Sequence, residues 1–264
     1  MIHLNFHFLL EYSKSWIVQI ALLVYINSVK LIGNPNKYSN KDILNMFIES
    51  HKNIIDGYIE RNLVSYSPIN NIMYRIHKPE KRIYHNKKIL FVGGRNSIKI
   101  NSEFSERICN NIGIEVICFQ YDGYYGSGYS NCLSKESYDR SIEEMYNTFS
   151  CDTELYVIGY SLGCFGAYRV NKRKSIFLIS PFYSLEKSIR NIIHIDHFDL
   201  NKELEKKRTE EVIIHTFLFD LLTPFWHLCD NFKQDHIKIK INLGNHISGL
   251  SNCLMNDIKK YIEN

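Results

Sequence analysis

A serine stands between two glycines in the stretch Gly159-Tyr160-Ser161-Leu162-Gly163, directly after the apolar run 155–158. The pattern Gly-x-Ser-x-Gly, with a strand before it and a helix after it, is typical of a nucleophile elbow. The glycines are needed because the turn around such a serine leaves no room for neighbouring side chains. The helix that follows directs its amino end, with free N–H groups, towards the reacting oxygen. We therefore expect Ser161 to be a nucleophile.

A serine hydroxyl is a weak nucleophile without a base, and the base needs a carboxylate to orient it. After a nucleophile elbow the acid comes next in the chain and the histidine last. Asp220 follows the strand-like run 211–217, and His246 follows the strand-like run 237–243, so they are the predicted acid and base. Four other aspartates compete for the acid role without directly following a strand: Asp196, Asp199, Asp230 and Asp235. Among the eleven histidines, His227 is the serious rival.

Attack on a carbonyl creates an oxyanion, which needs preorganised hydrogen-bond donors. The backbone N–H of Leu162 is one predicted donor. The other is expected from the loop Gly93-Gly94-Arg95-Asn96, where the glycines allow close approach of the backbone. Either Gly94 or Arg95 would donate, and the alternative interpretation of the loop is a plain tight turn.

The elements that must position these residues alternate between strand and helix patterns. Strand patterns cover 88–92, 114–119, 155–159, 175–180, 211–217 and 237–243. Helical patterns cover 98–111, 134–149, the segment after Gly163, and about 250–262. Two short strands are predicted within 62–77, around Ser67-Pro68. The alternation predicts an α/β fold: a mainly parallel central sheet with helices on both faces, whose functional loops follow the carboxyl ends of the strands.

The amino-terminal residues 1–60 read as a helical extension, and residues 61–264 as the α/β domain. Within the extension, the segment 16–26 (WIVQIALLVYI) is apolar apart from Gln19. It is shorter than the ~20 residues that span a bilayer, and it lacks the features of a signal peptide. Two interpretations stay open: the segment packs on the body of the protein, or it makes peripheral contact with a membrane.

Composition narrows the classes of function. The chain has 264 residues, 45% of them hydrophobic, which suffices for one substantial core. The net charge is only +4 and no basic stripe is present, so nucleic acid is not an expected partner. The seven cysteines form no CxxC pair, so we expect reduced thiols, a cytoplasmic setting and no zinc site. No metal or organic cofactor is implied.

Together these segments resemble the α/β-hydrolase superfamily of serine hydrolases, and most closely the small-lid α/β-hydrolase-domain proteins that include protein depalmitoylases. The resemblance covers roughly 88–264 and is carried by FVGGRN, QYDGYYGS, VIGYSLG, LISPFYSL, DLLTPFWH and GNH. It implies the α/β-hydrolase fold with a minimal lid. The sequence departs from the group's pattern in the two loops, where Gly93 replaces a histidine, Gln120 an aspartate and Tyr125 a glycine. The amino-terminal cysteines that anchor the depalmitoylases are missing, because the first cysteine is Cys109.

The short segment 181–210 occupies the place where larger lids are inserted in this fold, so we expect a rather open site. Four aromatic residues near it would suit an acyl chain or an acylated surface: Phe182, Tyr183, Phe225 and Trp226. The alternative interpretation is that these side chains fill the core.

The expected function is hydrolysis of carboxylic ester or thioester bonds of acyl substrates, with an acylated protein or a lipid as the substrate. An acyl-protein thioesterase, a monoacylglycerol lipase and a carboxylesterase are the candidates within that class. The rival from another class is a catalytically weak pseudo-hydrolase that serves as an interaction module, because the oxyanion loop and the second loop are altered.

Overall fold

The computed structural model describes most of the α/β domain. The described residues are 61, 63–94, 98–123, 127–129, 135–151, 153–170, 175–181, 200, 204, 211–220, 223, 235–246 and 251–263. The predicted helical extension 1–60, with the apolar segment 16–26, lies outside them, so the domain boundary at residue 60 stays a prediction.

Eight strands form one sheet. They are β1 (Ser65–Tyr66), β2 (Met73–His77), β3 (Lys87–Val92), β4 (Glu115–Phe119), β5 (Glu154–Tyr160), β6 (Ser175–Ile179), β7 (Glu211–Phe217) and β8 (Ile237–Asn242). The strand order is β1-β2-β4-β3-β5-β6-β7-β8. The pairs β1–β2 and β2–β4 are antiparallel, and every pair from β4 to β8 is parallel.

Helices cover both faces of the sheet. They are α1 (Ile98–Ile112), α2 (Lys135–Ser150), α3 (Gly163–Val170) and α4 (Asn252–Glu263). Buried side chains of α1 and α4 pack on one face, and those of α2 and α3 pack on the other. The central strands are therefore covered on both sides, which explains why all five residues of β4 are buried and why the strands read as continuous apolar runs.

The strands and helices listed above that the sequence predicts from residue 62 onward are confirmed, with ends that differ by one or two residues from the sequence pattern. Their arrangement fixes where the functional loops meet. β4 and β5 flank β3 on opposite sides, so the winding direction of the chain reverses at β3. In open α/β sheets such a reversal opens a crevice at the carboxyl ends of the strands. The loops that follow β3 and β5 lie at that crevice.

Among the residues that the structure describes, no helix has the length and apolar character needed to cross a membrane.

Candidate active site

Ser161 follows β5 directly and has a backbone φ of 55°, in the left-handed region that residues other than glycine seldom adopt. Its N–H donates to the carbonyl oxygen of Ile179, which fixes the turn against the neighbouring strand β6. The flanking glycines are required by close packing. A Cβ on Gly159 would lie 2.6 Å from the Cα of Cys164, and one on Gly163 would meet backbone oxygen at 1.9 Å. The turn therefore has the strained, crowded geometry that the sequence pattern predicts.

The structure brings together the three residues of the predicted triad. The Nε2 of His246 lies 3.0 Å from the Oγ of Ser161, and its Nδ1 lies 2.7 Å from Oδ2 of Asp220. All three residues are buried. Each comes from the end of a different strand: β5 for the serine, β7 for the aspartate and β8 for the histidine. The parallel sheet thus joins residues that are 85 positions apart in the sequence.

Thr223 donates two hydrogen bonds to the carboxylate of Asp220. Its N–H donates to Oδ1 of Asp220 at 2.8 Å, and its hydroxyl donates to Oδ2 at 2.5 Å. Burial alone would raise the pKa of the Asp220 carboxyl, but the hydrogen bonds and charge of His246, together with the bonds from Thr223, outweigh it. The pKa is therefore below its ordinary value, and the carboxylate stays ionised beside the imidazole.

Tyr160 forms a hydrogen bond with the backbone of His246. Its hydroxyl donates to the carbonyl oxygen of His246 at 2.7 Å, and the two rings lie 5.3 Å apart between centroids. Burial, and to a lesser extent the nearby Asp220 charge, raises the pKa of Tyr160. The phenol therefore stays neutral, and it acts as a donor that fixes the backbone of the histidine loop.

Two backbone N–H groups border the serine. Leu162 follows it in the turn, and Gly94 lies so close that a Cβ there would be 2.9 Å from the Cβ of Ser161. Neither N–H donates a hydrogen bond to any described residue. Both groups thus lie beside the serine without an acceptor among the described residues.

A cleft of about 230 Å³ lies elsewhere, between α2 and α3, and contains none of the three residues. We place the candidate site at the crevice rather than in this cleft, because the crevice combines a nucleophile, a base and an acid within hydrogen-bonding distance.

No family model matches the sequence, and no curated protein matches it. Solved structures do match. Mouse alpha/beta hydrolase domain-containing protein 10 superposes with a TM-score of 0.52 at 14% identity, over 76% of this chain and 96% of its own. A soluble variant of monoglyceride lipase from Saccharomyces cerevisiae gives 0.57 at 12% identity, over 76% and 94%. An S-formylglutathione hydrolase from Agrobacterium tumefaciens gives 0.56 at 16% identity, over 76% and 93%.

The chain has the α/β-hydrolase fold. The predicted fold class is thereby confirmed. At these identities the likeness concerns the fold, and the resemblance to the depalmitoylase group stays a sequence-based prediction.

Some of the site residues predicted for this α/β-hydrolase fold lie in the described part of the chain, and others do not. Ser161, Leu162, Asp220, His246 and Gly94 are described, and all five lie at the crevice. The other predicted site residues are not among the described residues: Arg95, Phe182, Tyr183, Phe225 and Trp226. Of the predicted lid segment 181–210, only residues 181, 200 and 204 are described, so the open site remains a prediction. Most of the rivals lie outside as well, namely His227, Asp196, Asp199 and Asp230.

Sequence reasoning missed Thr223 and Tyr160. A signal existed for Thr223, because a threonine three residues after an aspartate commonly forms a local side chain–backbone hydrogen bond. No such signal marks Tyr160, whose contact with His246 spans 86 residues and depends on the packing of β5 against the loop after β8.

Proposed function

We propose that this protein is a serine hydrolase that cleaves carboxylic ester or thioester bonds of acyl substrates. One observation carries the proposal: a continuous series of contacts, 3.0 Å from Ser161 Oγ to His246 Nε2 and 2.7 Å from His246 Nδ1 to Asp220 Oδ2. This is the spacing at which an imidazole can take a proton from a hydroxyl while a carboxylate holds its other nitrogen.

The reaction proceeds in two halves. The Oγ of Ser161 attacks the acyl carbonyl carbon as His246 takes its proton, and the carbonyl oxygen becomes an oxyanion. When the tetrahedral intermediate collapses, the imidazolium gives that proton to the departing alcohol or thiol, and the acyl group stays on the serine. Water then attacks the acyl-enzyme by the same route, releasing the carboxylic acid and restoring the serine hydroxyl.

The backbone stabilises the charge that develops on the carbonyl oxygen. The N–H groups of Leu162 and Gly94 border the serine, and we assign both to the oxyanion hole, with Arg95 as the alternative second donor. Asp220 stays ionised, keeps the imidazole in the correct tautomer and stabilises the imidazolium. None of these steps requires a metal ion or an organic cofactor.

The leaving group of the substrate is either a thiol, from a thioester, or an alcohol, from an ester. The structural neighbours include one protein named for a thioester, S-formylglutathione, and one named for a glycerol ester, monoglyceride. The sequence resemblance to depalmitoylases favours an S-acylated protein as substrate, with a monoacylglycerol or a simple carboxylic ester as the second candidate. The aromatic residues around 182–183 and 225–226 are proposed to hold the acyl chain.

Matched pairs of ester and thioester substrates test whether the protein is a serine hydrolase and which bond it prefers. We expect the wild-type chain to hydrolyse acyl esters and acyl thioesters of chain lengths from two to sixteen carbons, and Ser161→Ala to hydrolyse none of them. Ser105→Ala removes a buried serine hydroxyl from α1 and serves as the control, which should keep wild-type turnover. The ratio of kcat/KM for thioester and ester at each chain length then distinguishes thioesterase from lipase.

Absence of turnover on every substrate would support the pseudo-hydrolase and overturn the proposal. Equal turnover by the wild type and Ser161→Ala would also overturn it, because the activity would then arise elsewhere.

A further inference from the structure

The peptide group between Gly93 and Gly94 borders the nucleophile. Gly94 approaches Ser161, and the elbow helix packs directly on this loop: a Cβ on Gly163 would lie 2.4 Å from the carbonyl oxygen of Gly93. Two consecutive glycines give the loop unusual conformational freedom, because glycine tolerates both signs of φ. Sequence alone therefore leaves the direction of this peptide undetermined.

A buried tyrosine hydroxyl holds that peptide in one orientation. Tyr121 is 2% exposed, and its hydroxyl donates to the carbonyl oxygen of Gly93 at 2.5 Å. Packing aims the phenol: its ring lies 4.7 Å from the ring of Tyr138 and edge-on to Phe119 at 5.3 Å. The hydroxyl therefore has little freedom to leave the Gly93 carbonyl.

Peptide planarity carries this anchor to the active site. In a trans peptide the C=O and the next N–H point in opposite directions. Holding the Gly93 carbonyl towards Tyr121 consequently fixes the Gly94 N–H on the side away from Tyr121, where it makes no hydrogen bond to any described residue. A flipped peptide would present a carbonyl oxygen there instead, which would repel an oxyanion.

The opposite border of the hole is held in a related way. The hydroxyl of Tyr138, next to Tyr121 in the core, donates to the carbonyl oxygen of Leu162 at 2.9 Å and accepts from the N–H of Gly166 at 3.1 Å. Two adjacent tyrosines thus anchor the carbonyls of the loop after β3 and of the nucleophile elbow.

We propose that Tyr121 is a positioning residue of the oxyanion hole, which keeps the Gly93–Gly94 peptide oriented so that the Gly94 N–H is directed to the oxygen of the transition state. This inference rests on the proposed hydrolase function and adds to it a residue outside the triad. It predicts an effect on stabilisation of the oxyanion, because the phenol hydroxyl acts through the Gly93–Gly94 peptide.

Tyr121→Phe tests the inference, with Tyr261→Phe as the matched control. Tyr261 is also buried and donates to backbone carbonyls, those of Val157 and Ser175, but it lies on α4, where its ring packs against Tyr156 and Phe177. We expect Tyr121→Phe to lower kcat about tenfold or more and to leave KM within twofold. Affinity for an alkyl trifluoromethyl ketone should fall by a similar factor, because its adduct with Ser161 places an oxyanion in the oxyanion hole. Tyr261→Phe should change neither.

Rescue distinguishes positioning from simple loss of packing. Replacement of Tyr121 by 4-aminophenylalanine keeps an N–H donor in the same place and should recover part of the lost kcat. The same replacement serves if Tyr121→Phe does not fold, and kcat and ketone affinity should then lie below those of the wild type because the donor is weaker.

Two results would overturn the inference: kcat and ketone affinity of Tyr121→Phe within twofold of those of Tyr261→Phe, or no recovery with 4-aminophenylalanine. Wild-type protein without turnover would instead overturn the proposed function, and this inference with it. The two failures are distinguishable because the first appears only in the variants.

Discussion

At the scale of single residues, the carboxylate of Asp220 depends on a neighbour three positions away. Thr223→Val keeps the shape of the side chain and the backbone N–H but removes the hydroxyl that donates to Oδ2. A hydrogen bond to a charged group contributes ~1.5–3 kcal/mol. We therefore expect kcat to fall about tenfold. Because the lost bond stabilised the ionised form, the pKa of Asp220 should rise.

The measurement is the pH profile of kcat/KM. Its acidic limb should move to higher pH in Thr223→Val and stay in place in Thr153→Val, where the threonine hydroxyl donates to the Phe149 carbonyl. Identical profiles for the two variants would contradict the role assigned to Thr223.

Gly93, in the loop proposed to form the oxyanion hole, packs against a side chain of α1. A Cβ at this position would lie 2.3 Å from the Cγ of Asn101, so the buried carboxamide occupies the space that any side chain at position 93 would need. The glycine at this position, where the depalmitoylase group that the sequence resembles has a histidine, is thus matched by a neighbour on α1.

Size compensation tests this pairing. We expect Gly93→Ala to lower kcat/KM strongly, because the clash displaces the loop, and Gly93→Ala with Asn101→Ala to recover part of the loss. A double-mutant cycle on kcat/KM and on Tm measures the coupling. Additive effects of the two substitutions would contradict it.

At the scale of elements, the join between β5 and α3 is the most constrained part of the fold. Gly163→Ala would place a Cβ 1.9 Å from the carbonyl oxygen of Val92, and backbone cannot move aside cheaply. Gly166→Ala, one turn later, would meet the end of the Ile142 side chain at 2.1 Å, which can change rotamer. We expect Gly163→Ala to lose activity and several degrees of Tm, and Gly166→Ala to lose much less. Equal losses in thermal unfolding would show that the elbow tolerates displacement.

Strand ends were predictable because parallel strands carry their functional loops on one edge, so Ser161, Asp220 and His246 could be placed from the chain order alone. Apart from the local contact of Thr223 with Asp220, the supporting contacts were not predictable. Tyr121 reaches Gly93 only because β4 pairs with β3, and nothing in the local sequence marks its hydroxyl as an anchor. Local patterns show which loops converge, whereas the side chains that brace those loops depend on tertiary packing.

At the scale of the whole molecule, two buried histidines make folding sensitive to acid. Burial lowers the pKa of His77 and of His215 from 6.5 to about 4. Arg75 also disfavours the charged form of His77. For His215, burial is opposed first by the charge of Asp257, which favours the charged form; Lys240 disfavours that form less strongly, and the hydrogen bond of Asn242 favours it. Because burial dominates, the contact of 3.4 Å between His215 and Asp257 joins a neutral ring to a carboxylate at pH 7.

The sign of the pH dependence follows from these directions. Between pH 6.5 and about 4 the unfolded chain binds protons that the folded chain does not, so the free energy of unfolding falls as the pH falls. The loss is on the order of 3 kcal/mol per histidine at most. Urea unfolding at pH 7 and pH 5 should show it, and His215→Gln should weaken the dependence while the exposed control His85→Gln does not. A pH-independent unfolding midpoint would contradict the prediction.

The fold class was predictable at this scale because the alternation of strand and helix patterns is regular from residue 88 onward. The acyl group and leaving group of the proposed substrate were not, because the sequence does not distinguish aromatic residues that line a site from those that fill the core. The candidate membrane contact of 16–26 likewise rests on sequence pattern alone.

The central claim is that Ser161 is a nucleophile activated by His246. Peptide mapping by mass spectrometry after reaction with a fluorophosphonate probe tests it most directly. We predict a single adduct on Ser161, no adduct in Ser161→Ala, and a labelling rate in His246→Ala that is lower by about a thousandfold or more. An adduct on another residue, or a labelling rate that does not depend on His246, would contradict the account.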